Sequence, residues 1–80
     1  MKAPDWWPPK VGDRLRGVWG PDQDKDPLLH VIAVFEHAGE PLIVTAEWSP
    51  ERQRWQREVQ GVTQAHVGLI RPDGAPRRGG

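Results

Sequence analysis

The stretch from Pro41 to Gly61 decides what this chain can fold into, because two incompatible structures are written over it. Ser49, Pro50 and Gly61 sit where a helix wants its N-cap, its first residue and its terminating glycine. That helix would carry only Trp55 and Val59 as an apolar stripe, thin anchoring for three turns. Read as a hairpin around a four-residue loop at 50–53, the same residues find partners. Trp48 falls opposite Trp55, Val44 opposite Val59 and Thr45 opposite Glu58, so apolar groups meet on one face and polar groups on the other. The hairpin is the better supplied reading, and it puts Trp48 and Trp55 in the core. The alternative is an α+β fold, a three-stranded antiparallel sheet with one helix at 50–60.

The flanking segments extend the β reading. Residues 11–19 alternate, with Val11, Leu15 and Trp19 on one face and Arg14 and Arg16 on the other, and Gly17 marks a bend. Residues 20–27 form a polar loop bounded by Pro21 and Pro27. Residues 28–36 are nearly continuous in apolar side chains, which predicts a central strand with residues 31–35 buried on both faces. A short loop containing Gly39 then turns the chain into the strand that begins near Pro41. Residues 63–66 read as a capped turn, residues 67–71 as a last strand, and Pro72 stops it. The resulting organisation is an extended Pro/Trp arm at 1–10, a single domain at 11–71 and a disordered tail at 72–80.

Size limits how this domain can be stabilised. A chain of 80 residues buries only about 60–65% of the surface it exposes when unfolded. Its apolar mass is concentrated in five tryptophans, each able to remove roughly 150–250 Å² from water. There is no cysteine, so no disulfide or thiolate metal site assists, and a reducing compartment fits best. No long apolar run suggests export or membrane insertion, and a cytoplasmic protein is expected. Eleven basic and eleven acidic residues give a formal net charge of zero, which supplies no global attraction toward nucleic acid.

The chemistry-bearing residues argue against an enzyme. There is no Cys or Tyr, and the single Ser lies in a turn of the hairpin reading. His30, His37 and His66 lack the close pairing of zinc sites. Asp22, Asp24 and Asp26 alternate like calcium ligands, but Pro27 stands where the turn needs glycine and Ala33 where a bidentate Glu belongs, so the loop reads as acidic and solvated. No catalytic residue, metal or cofactor is assigned, and no small-molecule substrate is expected. Two adjacent indoles, Trp6 and Trp7, must either fold back on the domain or lie against another molecule. With Trp19, Arg14 and Arg16 they are the candidates for binding a partner protein or a second copy. Arg52, Arg54 and Arg57 around Trp55 form the alternative, a weak nucleic-acid surface pairing phosphate with a stacking ring. The terminal 77–80 stretch, Arg-Arg-Gly-Gly, invites comparison with ubiquitin-like tails, but the hairpin reading leaves no central helix for that fold.

Five short strands, Val11-Gly12-Asp13-Arg14-Leu15 at the opening, a polar loop after the first strand and a short turn before the last resemble the SH3-like small barrels over residues 11–71. The hairpin Trp48-Ser49 followed by Arg54-Trp55 is similar to one in small phage and prophage proteins of no assigned function. One enzyme on such a barrel, the plasmid-borne trimethoprim-resistant dihydrofolate reductase, carries Val-Gln-Ile-Tyr where this chain has Val59-Gln60-Gly61-Val62, which argues against that activity. The resemblance implies an all-β, five-stranded antiparallel barrel that binds rather than catalyses, an adaptor, or a phage-derived regulator or inhibitor.

Overall fold

The computed structural model describes residues 3–77. Five antiparallel strands form one open sheet: β1 (Arg14–Gly17), β2 (Leu28–His37), β3 (Glu40–Ser49), β4 (Arg54–Val62) and β5 (Ile70–Pro72), in the order β4-β3-β2-β1-β5. Two short 3-10 segments, Gln23–Lys25 and Gln64–Leu69, are the helical content of the described residues. Residues 54–62 are strand, so the helix at 50–60 is excluded and the hairpin stands. Among the described residues no helix is long and apolar enough to cross a membrane.

Local chemistry explains the turns. Ala38 and Gly39 both adopt positive φ, 54° and 81°, the requirement of a two-residue type I′ turn, and His37 pairs with Glu40 across it. At the other hairpin, Trp48 pairs with Trp55 and Ser49 with Arg54, leaving the expected loop at 50–53, where the Gln53 side-chain amide donates to the Pro50 carbonyl at 2.7 Å.

The core lies on one face only. Leu15, Leu29, Val31, Ile43, Val62 and Ile70 are buried together with Trp7, and Ala3, Trp6 and Val67 pack against them. The N-terminal arm and the 3-10 segment before β5 therefore cover the inner face of the sheet. Trp6 and Trp7 meet edge to face at 6.1 Å, so the adjacent indoles fold back onto their own domain.

Several expectations are corrected. The first strand shrinks from 11–19 to four residues, because the chain turns at Lys10–Asp13, where the Asp13 carboxylate accepts from the Lys10 amide at 2.9 Å. Val11 lies in that turn and Trp19 lies beyond the end of β1 at Gly17, so both leave the core face and are 63% and 47% exposed. In β2 only Leu29 and Val31 are buried. A bulge between Val31 and Ala33 reverses the alternation; Ile32 and Phe35 stand exposed because no second layer covers the outer face, and Val34, opposite Ile43, is 38% exposed on the inner face. A further irregularity between Ala46 and Trp48 shifts the β3–β4 register by two residues, so Val44 meets Gly61 and Thr45 meets Gln60. Trp48 and Trp55 keep the face of Val44 and Val59, since a shift of two preserves the alternation, but that face is the open one, opposite Ile43 and Thr45, and both indoles are half-buried and outside the core. Residues 67–69, expected as strand, continue the 3-10 segment, which starts where the Thr63 amide donates to His66 Nδ1 at 3.1 Å. The expected tail at 72–80 begins inside β5 and is described as far as Arg77; the Arg-Arg-Gly-Gly end lies mostly outside the described residues.

Two outcomes are expected of substitutions here. Trp7→Ala should cost about 3–5 kcal/mol, a large part of the total stability of a small domain, and half-buried Trp6→Ala should cost distinctly less; urea midpoints measure both. Ala38→Asn, which relieves an alanine held at positive φ, should raise stability by roughly 0.5–1 kcal/mol in the same assay.

Candidate functional site

The loop between β1 and β2 is held by a buried carboxylate. Asp26 is 3% exposed. Its oxygens accept hydrogen bonds from Arg77 Nε at 2.9 Å, Arg71 Nε at 3.3 Å and the Gly20 amide at 3.2 Å, with a further bond from Arg77 Nη2. The fork of Arg77 thus grips both carboxylate oxygens, the geometry in which arginine binds most strongly. Arg77 also donates to the Gly20 carbonyl at 2.9 Å, and Arg71 to the Gln23 carbonyl and to that of Ala75. Arg16 joins from β1, bonding the Asp26 carbonyl at 3.1 Å and Asp73 at 2.8 Å. The hydrogen bonds from Arg77, more than burial opposes, hold the Asp26 carboxyl down at about 2, below its ordinary 3.8. The solvated acidic loop expected at 22–26 is corrected at this residue: Asp26 is the internal anchor of the loop.

A groove of ≈ 620 Å³ opens between this loop and the β3–β4 turn. Its apolar surface comes from Trp19, Pro21, Pro27, Leu28, Trp48 and Pro50. Trp19 holds its position by close approach to glycine: a Cβ built on Gly17 would lie 2.3 Å from the indole ring. On its other side the same indole borders a smaller, mainly apolar recess with Val62, Leu69 and Ile70. Charges rim the larger groove. Glu47, beside the β3–β4 irregularity, is partly desolvated, and that burial pushes its carboxyl above the ordinary value. Gln56 donates to it at 3.4 Å.

The remaining sequence candidates separate. Trp7 is in the core and Trp6 packs on it, which takes the arm's buried indole out of the accessible surface. Arg14 lies over the Trp55 ring at 4.9 Å, a cation–π contact, while His30 and Trp48 approach the same ring at 5.4 and 5.1 Å. This cluster occupies the outer face, with buried Ala46 in the same row between His30 and Val59. Arg52, Arg54 and Arg57 are exposed and share a shallow depression with Gln56 and Glu58. Trp55, the ring they were to surround, is already contacted by three other side chains. Arg16 and Trp19 are the two partner candidates that meet in one place, at the groove. Sequence reasoning missed Asp26, Glu47 and Trp48 as groove residues; the two indoles 29 positions apart gave no local signal, and Asp26 finds its arginines 45 and 51 positions away.

Comparison with protein-family models, with curated proteins and with solved structures found no match. Among the described residues no three His, Cys, Asp or Glu side chains converge as metal ligands.

The Asp26 anchor makes an acid-sensitivity test. Because its folded value lies below the unfolded one, its contribution is present above about pH 4 and is lost as pH falls toward 2. Asp26→Asn is expected to melt lower than the parent at pH 7, with the two melting temperatures converging between pH 4 and 2.

Proposed function

We propose that this chain is a non-catalytic binding domain that holds a segment of a partner protein in the groove at Trp19. The observation carrying this reading is the exposed Trp19 indole, 47% accessible, seated over Gly17 between two concave surfaces. A large aromatic group kept in water, just past the end of a sheet strand and beside an arginine, has the composition of a protein-binding hot spot. The groove size falls within the range of ligand sites. The non-catalytic half of the reading is supported by the burial of Ser49 and Thr45 in β3 and by the structural use of the Thr63–His66 pair, in which His66 Nδ1 accepts from the Thr63 amide and caps the 3-10 segment.

An SH3-like barrel remains the proposed finer description of the fold. The strand order, with β1 central between β2 and β5 and a 3-10 segment leading into β5, supports it. A second reading, phosphate contact at Arg52, Arg54 and Arg57, is favoured only by their exposure around one depression. It gains no stacking from Trp55, and a salt titration against single-stranded DNA and RNA distinguishes it by the slope.

Selection of displayed random peptides on the immobilised domain tests the groove. Peptides that enrich are expected to lose at least about tenfold in affinity, 1.4 kcal/mol, on Trp19→Ala, with the circular dichroism spectrum preserved. Enrichment only of peptides indifferent to Trp19→Ala rejects the proposal.

A further inference from the structure

The groove carries an uncompensated charge. Asp24, Lys25, Asp26, Glu47, Glu51 and Arg16 are its ionisable residues. Two of these are already neutralised: Asp26 by Arg71 and Arg77, and Arg16 by Asp73. Among the described residues, Asp24, Glu47, Glu51 and Lys25 take part in no ion pair; with the second arginine on Asp26 counted, three carboxylates stand against two positive charges, a net of one negative charge. One of the three, Glu47, has lost part of its water without gaining a cation, and burial alone raises its carboxyl. A partly desolvated carboxylate held only by an amide is an incomplete arrangement that an incoming cation completes.

The apolar surface specifies which cation. Trp19 and Trp48 both line the groove, and the negative face of an indole attracts a cation within about 6 Å. A guanidinium suits such a place better than an ammonium: it is planar, more weakly hydrated, stacks on aromatic faces and presents two parallel donors to a carboxylate. Pro21, Pro27 and Pro50 leave no backbone amide at those rim positions, so side-chain recognition carries more of the contact there. Of the arginines that approach the groove or the cluster beside it, Arg14 lies on Trp55, Arg16 is paired with Asp73, and Arg71 and Arg77 are locked on Asp26, while Arg52, Arg54 and Arg57 line a separate depression.

We propose that the groove recognises an arginine side chain of an extended partner segment, its guanidinium against Trp19 and Trp48 and its charge met chiefly by Glu47, with Glu51 and Asp24 at the rim. This deepens the binding-domain reading and rests on it. The partner segment is thereby one that presents an arginine at this site.

The test uses the full chain and three blocked tripeptides, Ala-Arg-Ala, Ala-Nle-Ala (norleucine) and Ala-Glu-Ala, titrated to about 10 mM, where dissociation constants in the millimolar range are read. The indole N–H signals of Trp19 and Trp48 report in a proton–nitrogen NMR spectrum. The arginine peptide is expected to move both signals, and Glu47→Gln to weaken it roughly three- to fivefold, as for a partly exposed charge pair. Glu51→Gln should weaken it less, and both variants should keep the dispersed spectrum of the folded domain. If the norleucine peptide moves the same signals as strongly, the groove stands and arginine recognition falls. If the glutamate peptide does so, or if Glu47→Gln leaves arginine binding unchanged, the assigned charge role is wrong. If no peptide moves either indole, the groove and the arginine proposal fall together.

Discussion

Only one side of the sheet is covered, and the rest of the architecture follows from how so short a chain achieves even that. Five strands present two faces, and the described residues of this short chain supply no α-helix to lay across either. The inner face is closed instead by the Pro-rich arm, which delivers Trp7, and by the 3-10 segment before β5, which brings Val67. The indole of Trp7 is the largest group in the buried cluster, so one side chain does much of what a second layer does in a larger domain. The molecule measures 16 Å along its shortest axis, little more than a sheet and its lid. The outer face has no lid, which is why Phe35, Ile32 and Val59 meet water and why an aromatic cluster around Trp55 shelters Ala46 there.

Area alone does not fix the long β1–β2 loop, since Pro21, Asp22, Gln23, Asp24 and Lys25 are all exposed. The loop is fixed by charge. Asp26 leaves water only because two arginines from the far end of the chain enter with it, and because the same guanidinium groups satisfy the Gly20 and Gln23 carbonyls. A buried carboxylate stripped of those partners would be strongly unfavourable, so the network couples the loop to the residues after β5. The wall of the groove is thereby held by the opposite end of the chain. Gly20 fits the same account: a Cβ there would lie 2.5 Å from the Lys25 carbonyl oxygen, so the loop closes on itself only with glycine at that position.

What could be read in the sequence was set by local pairing. The 50–53 loop and the meeting of Trp48 with Trp55 follow from residues less than ten positions apart, and both are observed. So is the strand beginning at Leu28, announced by Pro27, and the turn beginning at Thr63. The bulge at Val31/Ala33 was not legible, because an extra residue leaves no mark in a pattern already apolar on both sides, and the two-residue shift at Ala46/Trp48 falls on Gln56, Arg57 and Glu58, where no apolar alternation fixes the register. That is why residues 31–35 looked buried on both faces; Trp48 and Trp55 looked like core because the face they share with Val44 and Val59 is apolar, yet it is the uncovered one. For the groove, the exposed status of Trp19 depended on β1 ending at Gly17, before the loop that Asp26 closes on the Gly20 amide. Asp26 was indistinguishable from Asp22 and Asp24 until the fold brought Arg71 and Arg77 to it.

Five copies of one side chain therefore do different jobs, and their surroundings distinguish them. Trp7 is enclosed by aliphatic residues and serves the core, Trp6 braces it, and Trp55 is ringed by Arg14, His30 and Trp48 on the open face. Each of these indoles has its faces engaged by groups of its own chain. Trp19 differs: one face rests over Gly17, where a methyl group would collide with it, and the remainder is open to a groove with unpaired carboxylates. An exposed indole costs little when it is free to move, but this one is held by a glycine that admits nothing else beneath the ring. A side chain positioned that firmly and still left in water is better explained by what it meets outside the chain than by anything it does inside it.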